Sequence, residues 1–83
     1  MKFGIRTYDD GTYFIALPMI SCVNDYQTAR YLGLTGFEYS SILESCGAFR
    51  EHENDEYEFK SRYFANKAIK ALEPFLIMVS LIR

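Results

Sequence analysis

The sequence predicts a single small α+β domain over residues 1–83, and three observations carry that prediction. Residues 1–18 alternate apolar and polar side chains around Asp10-Gly11, the pattern of a β-hairpin. Residues 24–47, NDYQTARYLGLTGFEYSSILESCG, hold two helix-capping patterns eleven residues apart, as a helix-turn-helix requires. Residues 75–82, FLIMVSLI, are apolar with one polar member and follow Glu73-Pro74; such a run is either a buried strand or a second short helix, and its length, Pro boundary and Ile and Val content favour the strand. Pairing that strand with the hairpin gives a three-stranded antiparallel sheet on which the helices lie.

In the hairpin, Phe3, Ile5 and Thr7 alternate with Lys2, Gly4, Arg6 and Tyr8, and Tyr13, Ile15 and Leu17 alternate with Thr12, Phe14 and Ala16. Large side chains occupy both faces, so the hairpin needs cover from helices, a further strand or a second chain. Pro18 removes a ladder donor and ends it. In the helix-turn-helix, Asn24 with Gln27 and Thr35 with Glu38 form two capping boxes, and loss of one such cap costs about 1 kcal/mol. Gly33 and Gly47 close the two helices, because glycine enters the left-handed conformation without a Cβ penalty. Between the caps, Ala29, Leu32, Leu34, Tyr39, Ile42 and Leu43 supply the apolar contacts. Residues 48–60 form a charged, wing-like hairpin. Ser61 then caps a helix over residues 62–73, with Phe64, Ala65, Ala68, Ile69 and Leu72 inward and Arg62, Asn66, Lys67 and Lys70 outward. Pro74 is expected to stop that helix. A charge-free strand at 75–82 left on a sheet edge invites pairing, so homodimerisation through it stays open.

Residues 22–73 resemble the winged helix-turn-helix of excisionase and MerR-type DNA-binding domains. The resemblance is carried by TARYLGLT in the first helix and turn, Ile42 in the second helix, Gly47 after it, FREHENDEYEFKS as the wing, and RYFANKAIKAL as the third helix. It implies a second helix that enters the major groove and a wing that tracks the phosphate backbone. At both places this chain departs from a DNA binder. The outward residues of the second helix are Gly36, Phe37, Glu38, Ser40, Ser41 and Glu44, without Arg or Lys, and the wing sets Glu51, Glu53, Asp55, Glu56 and Glu58 against Arg50 and Lys60. Carboxylates there repel phosphate where nucleic-acid binders gain most of their affinity.

Composition narrows the remaining classes. An apolar fraction of 49% with seven Tyr and seven Phe indicates a packed domain rather than a disordered one. At this length, roughly 60–65% of the unfolded chain's surface is hidden on folding. A net charge of −2 gives no general attraction to nucleic acid or anionic membrane. The opening MKFGIRTYDDG lacks the apolar core of a signal peptide, and no run reaches the roughly eighteen apolar residues of a membrane span, so a cytosolic protein is expected. Cys22 and Cys46 fit neither a disulfide scaffold nor a zinc spacing. Cys46 and His52 flank one segment but lack an orienting group or an oxyanion-binding glycine cluster, so neither catalysis nor a metal nor a cofactor is expected.

The sequence therefore points to a non-enzymatic module that binds a basic protein partner. Phe37, Glu38, Ser41 and Glu44 of the second helix and Glu51, Glu53, Asp55 and Glu56 of the wing are the expected contact residues. Small acidic inhibitors of nucleic-acid machinery, of the kind mobile elements encode, fit this description. The alternative is a winged helix-turn-helix DNA-binding regulator that contacts nucleic acid through Lys60, Arg62, Lys67 and Lys70.

Overall fold

Two strands and three helices make up the computed structural model, which describes residues 2–18, 25–49 and 57–82. They are β1 (Gly4–Thr7), β2 (Tyr13–Ala16), α1 (Asp25–Tyr31), α2 (Gly36–Ser45) and α3 (Arg62–Ile82). The class is α+β with a two-stranded antiparallel sheet, in the register Gly4–Ala16, Ile5–Ile15, Arg6–Phe14 and Thr7–Tyr13.

The hairpin turn is one residue longer than Asp10-Gly11 suggests. The Gly11 N–H donates to the Tyr8 carbonyl at 3.0 Å, the Tyr8 N–H donates to the Thr12 carbonyl at 2.8 Å, and Gly11 sits at φ +89°. This is a turn followed by a left-handed residue, the usual form of a three-residue connection. Asp10 holds it by accepting from the Thr12 hydroxyl at 2.6 Å and the Thr12 N–H at 3.0 Å, and these bonds keep its carboxyl below the usual range.

The expected third strand at 75–82 is not a strand. Those residues continue α3, which runs unbroken through Pro74. Adding residues to an existing helix needs no new nucleus, whereas a separate strand must close a long-range pairing. Pro74 deprives the Lys70 carbonyl of a donor, but both residues are exposed, so water can serve that carbonyl. Across the proline the buried stripe keeps helical spacing through Ala65, Ala68, Leu72 and Leu76.

Residues 57–59 take the place of the missing strand. Tyr13 and Phe59 exchange both backbone hydrogen bonds, at 2.9 and 2.8 Å, as do Phe49 and Glu58. The base of the expected wing is therefore paired, and residues 50–56 lie outside the described part, as does the cap Asn24. The other caps form as read. Thr35 and Glu38 complete a capping box. Gly33 and Gly47 both close Schellman motifs: their N–H groups donate to Arg30 and Glu44, and those of Leu34 and Ala48 reach back to Ala29 and Leu43. Ser61 caps α3 through the Phe64 N–H at 3.4 Å. The core gathers Phe3, Ile15 and Leu17 of the hairpin, Ala29 of α1 and Leu32 just after it, Tyr39 and Leu43 of α2, Tyr57 and Phe59, and the α3 stripe.

Two substitutions test this arrangement. Pro74→Ala restores a helical donor, so it should raise stability by about 1–3 kcal/mol in urea unfolding; a proline ending a helix before a strand would give no such gain. Gly47→Ala should destabilise by about 1–2 kcal/mol, because φ is +94° and a Cβ would meet the Phe64 ring at 3.1 Å, whereas Gly36→Ala in the first turn of α2 should be neutral or stabilising.

Candidate functional site

The capping box that starts α2 also sets which side chains it shows to solvent. The Thr35 N–H donates to Glu38 Oε1 at 3.0 Å and the Glu38 N–H donates to Thr35 Oγ1 at 3.1 Å. With that end fixed, Tyr39 and Leu43 turn into the core while Phe37 points outward at 82% exposure. Phe37, Ser41 and Glu44 follow at helical spacing on one exposed stripe, and α2 carries no cation. Glu38 is engaged in the cap. Glu44 accepts from the Tyr57 hydroxyl at 2.9 Å, which holds a carboxylate near the helix C-terminus, where the macrodipole disfavours it. Glu51, Glu53, Asp55 and Glu56 lie outside the described residues.

Beside this stripe, Asp25, Tyr26, Gly36, Tyr39 and Ser40 line a cleft of about 230 Å³. Tyr26 is 62% exposed, with the Arg30 guanidinium 5.8 Å from its ring centre. Asp25 Oδ2 accepts the Tyr57 N–H at 2.7 Å. The Tyr39 hydroxyl is buried without a hydrogen-bond partner among the described residues, and burial together with the Asp25 charge holds its proton far above the ordinary tyrosine range. The place of Tyr26 at the start of α1, lining the same cleft as Gly36 and Ser40 of α2, makes it a second exposed aromatic on this side.

The four basic residues of the alternative reading are divided by the fold. The Lys60 ammonium lies 5.9 Å from the Phe49 ring centre and the Arg62 guanidinium 5.8 Å from that of Tyr13, against the hairpin and the paired segment. Lys67 and Lys70 instead join Asn66 and Tyr63 around a shallow cleft of about 180 Å³ on α3. Tyr63, an aromatic within reach of both lysines, was not singled out by sequence pattern.

A third surface lies on residues 75–82, which were expected as the third strand of the sheet and are helical instead. Ile77, Met78, Leu81 and Ile82 are all more than half exposed on the last turns of α3. Among the described residues no group of three or more His, Cys, Asp or Glu gathers into a possible metal site. Cys46 is buried, and Cys22 and His52 lie outside the described part. No described helix is long and apolar enough to cross a membrane.

The α2 cap carries a pH dependence of definite sign. The Thr35 N–H, and then the Thr35 hydroxyl, hold the Glu38 carboxyl below its ordinary value of 4.5. A lowered folded-state value means the contribution is complete above pH 4.5 and is lost as pH falls through the folded value. Wild type and Glu38→Gln should therefore differ by a constant amount in urea unfolding between pH 7 and 5, and the difference should shift against wild type below pH 4.5. A difference that is flat to pH 3 would show the carboxylate is not held.

No protein-family model, curated protein or solved structure matches this chain.

Proposed function

We propose that this chain is a non-enzymatic protein-binding module, built on a winged-helix-like core, that engages a basic nucleic-acid-handling protein through the outer face of α2. The observation that carries the reading is Phe37. A large aromatic at 82% exposure in the first turn of a well-capped helix adds nothing to the core, while rigid aromatics are the side chains that anchor protein interfaces. Ser41 and Glu44 continue its stripe, and Tyr26 lines the adjoining cleft with Ser40. The lack of any cation on α2 favours a positively charged partner over phosphate. By sequence, Glu51, Glu53, Asp55 and Glu56 add carboxylates to the connection between Phe49 and Glu58, so the acidic sign extends beyond α2. A partner whose own nucleic-acid surface is basic would be occupied competitively, which is inhibition without chemistry.

A second reading rests on the cleft of Tyr63, Asn66, Lys67 and Lys70. Two cations beside a 71% exposed tyrosine suit a nucleic-acid strand, with phosphates on the lysines and a base on the ring. On that reading the chain is a DNA-binding regulator that works through α3 rather than α2.

Capture from lysate with the purified chain as bait, with and without nuclease and at two salt concentrations, separates the two. The first reading expects a basic protein retained after nuclease, and Phe37→Ala should weaken its capture at least about tenfold with the fold intact. Loss of every partner on nuclease treatment, with sensitivity to Lys67→Glu and Lys70→Glu but not to Phe37→Ala, would transfer the function to α3.

A further inference from the structure

We propose that the C-terminal half of α3 is a homodimer interface, covered by a second copy of this chain packed on Ile77, Met78, Leu81 and Ile82. These four side chains are 59, 58, 81 and 81% exposed and follow one another at helical spacing as a continuous ridge. Grooves flank the ridge on both sides. One, of about 400 Å³, runs between α3 and the start of the chain and is floored by Phe3 and Leu76. The other, of about 370 Å³, runs between α3 and the α1–α2 turn, is floored by Leu32, Leu34 and Phe75, and has Glu38 of α2 in its wall.

A ridge bordered by apolar grooves complements itself under a two-fold axis, since the ridge of each copy enters a groove of the other. Helices packed in this way approach to about 8–10 Å between axes. The chemistry of the face also selects its occupant. Residues 75–82 carry no charge, and their one polar side chain, Ser80, donates to the Leu76 carbonyl at 2.9 Å within the helix. Covering the ridge therefore leaves no polar group of these side chains unsatisfied, and the carboxylates beside it, Glu73 and Glu38, belong to the two grooves rather than to the ridge. A second copy brings the same uncharged ridge. At the rim of the first groove stand one cation, Lys2, and one anion, Glu73, so two copies also bring opposite charges to the margin.

Area supports the same occupant. From their fractional exposure the four residues leave roughly 500 Å² accessible per copy, so burying them fully in both copies removes roughly 1,000 Å², about the minimum that a specific interface must clear. Glu38 of α2 lines the second groove, but Phe37, Ser41 and Glu44 line neither, so Phe37→Ala tests the proposed function without touching this interface.

Sedimentation velocity on the full chain from about 5 to 200 µM, at low and high salt, tests the proposal. The expected result is a concentration-dependent dimer that salt leaves unchanged or tightens, as apolar association does. Ile77→Glu and Leu81→Glu should each raise the dissociation constant at least about tenfold, because each change occurs twice per interface, with helical circular dichroism preserved. Phe37→Ala should leave the dimer as it is. A wild-type chain that stays monomeric at the highest concentration overturns the proposal, and so does a dimer that survives both glutamates or dissociates with Phe37→Ala. Should one glutamate variant unfold, the wild-type titration and the other variant still decide.

Discussion

The structure hangs on residues 57–59, which join parts of the fold that are far apart in sequence. The Tyr57 N–H donates to Asp25 at the start of α1, and its hydroxyl donates to Glu44 near the end of α2. Glu58 pairs its backbone with Phe49, and its Oε1 lies 2.9 Å from the Thr12 hydroxyl of the hairpin turn. Phe59 pairs with Tyr13 and is fully buried, which contributes about 2–3 kcal/mol of hydrophobic stabilisation. Three consecutive residues thus tie the hairpin, both short helices and the approach to α3. The seven-residue α1 is too short to hold as an isolated helix, so its persistence depends on this tie and on the burial of Thr28, Ala29 and Leu32.

That central strap explains why the surface divides cleanly by chemistry. With Tyr57 and Glu58 turned inward, the carboxylates of α2 face solvent from one side, and the α3 lysines face it from another. The long α3 spans both situations. Its first half buries the small Ala65 and Ala68, and the helix packs against both the hairpin and α2. Its second half carries Leu72 and Leu76 along the core edge and then runs on past it. Its end is thus an uncharged ridge with its own hydroxyl satisfied, bordered by Arg30 of α1 and Glu38 of α2.

The parts of this fold that were legible in the sequence are those governed by neighbours in the chain. Thr35 with Glu38, Gly33, Gly47 and Ser61 are local devices, and each acts where the pattern put it. The hairpin was legible as well, but the exact turn was not. Asp-Gly suits a two-residue connection, and it was the Tyr8–Thr12 pairing, set by strand register, that added Asp9 to the turn. Glu58 shows the limit more sharply. Among five acidic residues of a charged stretch it looked like a solvated wing residue, yet it is fully buried, because its long-range pairing with Phe49 and approach to Thr12 leave no trace in local composition. On the functional side, the exposure of Phe37 was legible from the capping register, whereas Tyr63 beside Lys67 and Lys70 was not.

Residues 75–82 are the most instructive case, because two sound local rules pointed the wrong way. Proline disfavours a helix interior, and an apolar octamer rich in Ile and Val suits a strand. With side chains apolar all round, periodicity inside the segment cannot separate helix from strand. The deciding signal lay outside it. Continued from Ala65, Ala68 and Leu72, the helical inner face meets Leu76, with half-buried Phe75 and Val79 beside it, and burial along that stripe outweighs the proline's penalty of about 3 kcal/mol. A strand would have buried alternate residues on two faces and hidden most of the apolar run within the sheet. A helix can turn only one stripe inward. It is the helical geometry itself that leaves Ile77, Met78, Leu81 and Ile82 outside, and so creates an apolar surface which the same sequence, folded as a strand, would not have had.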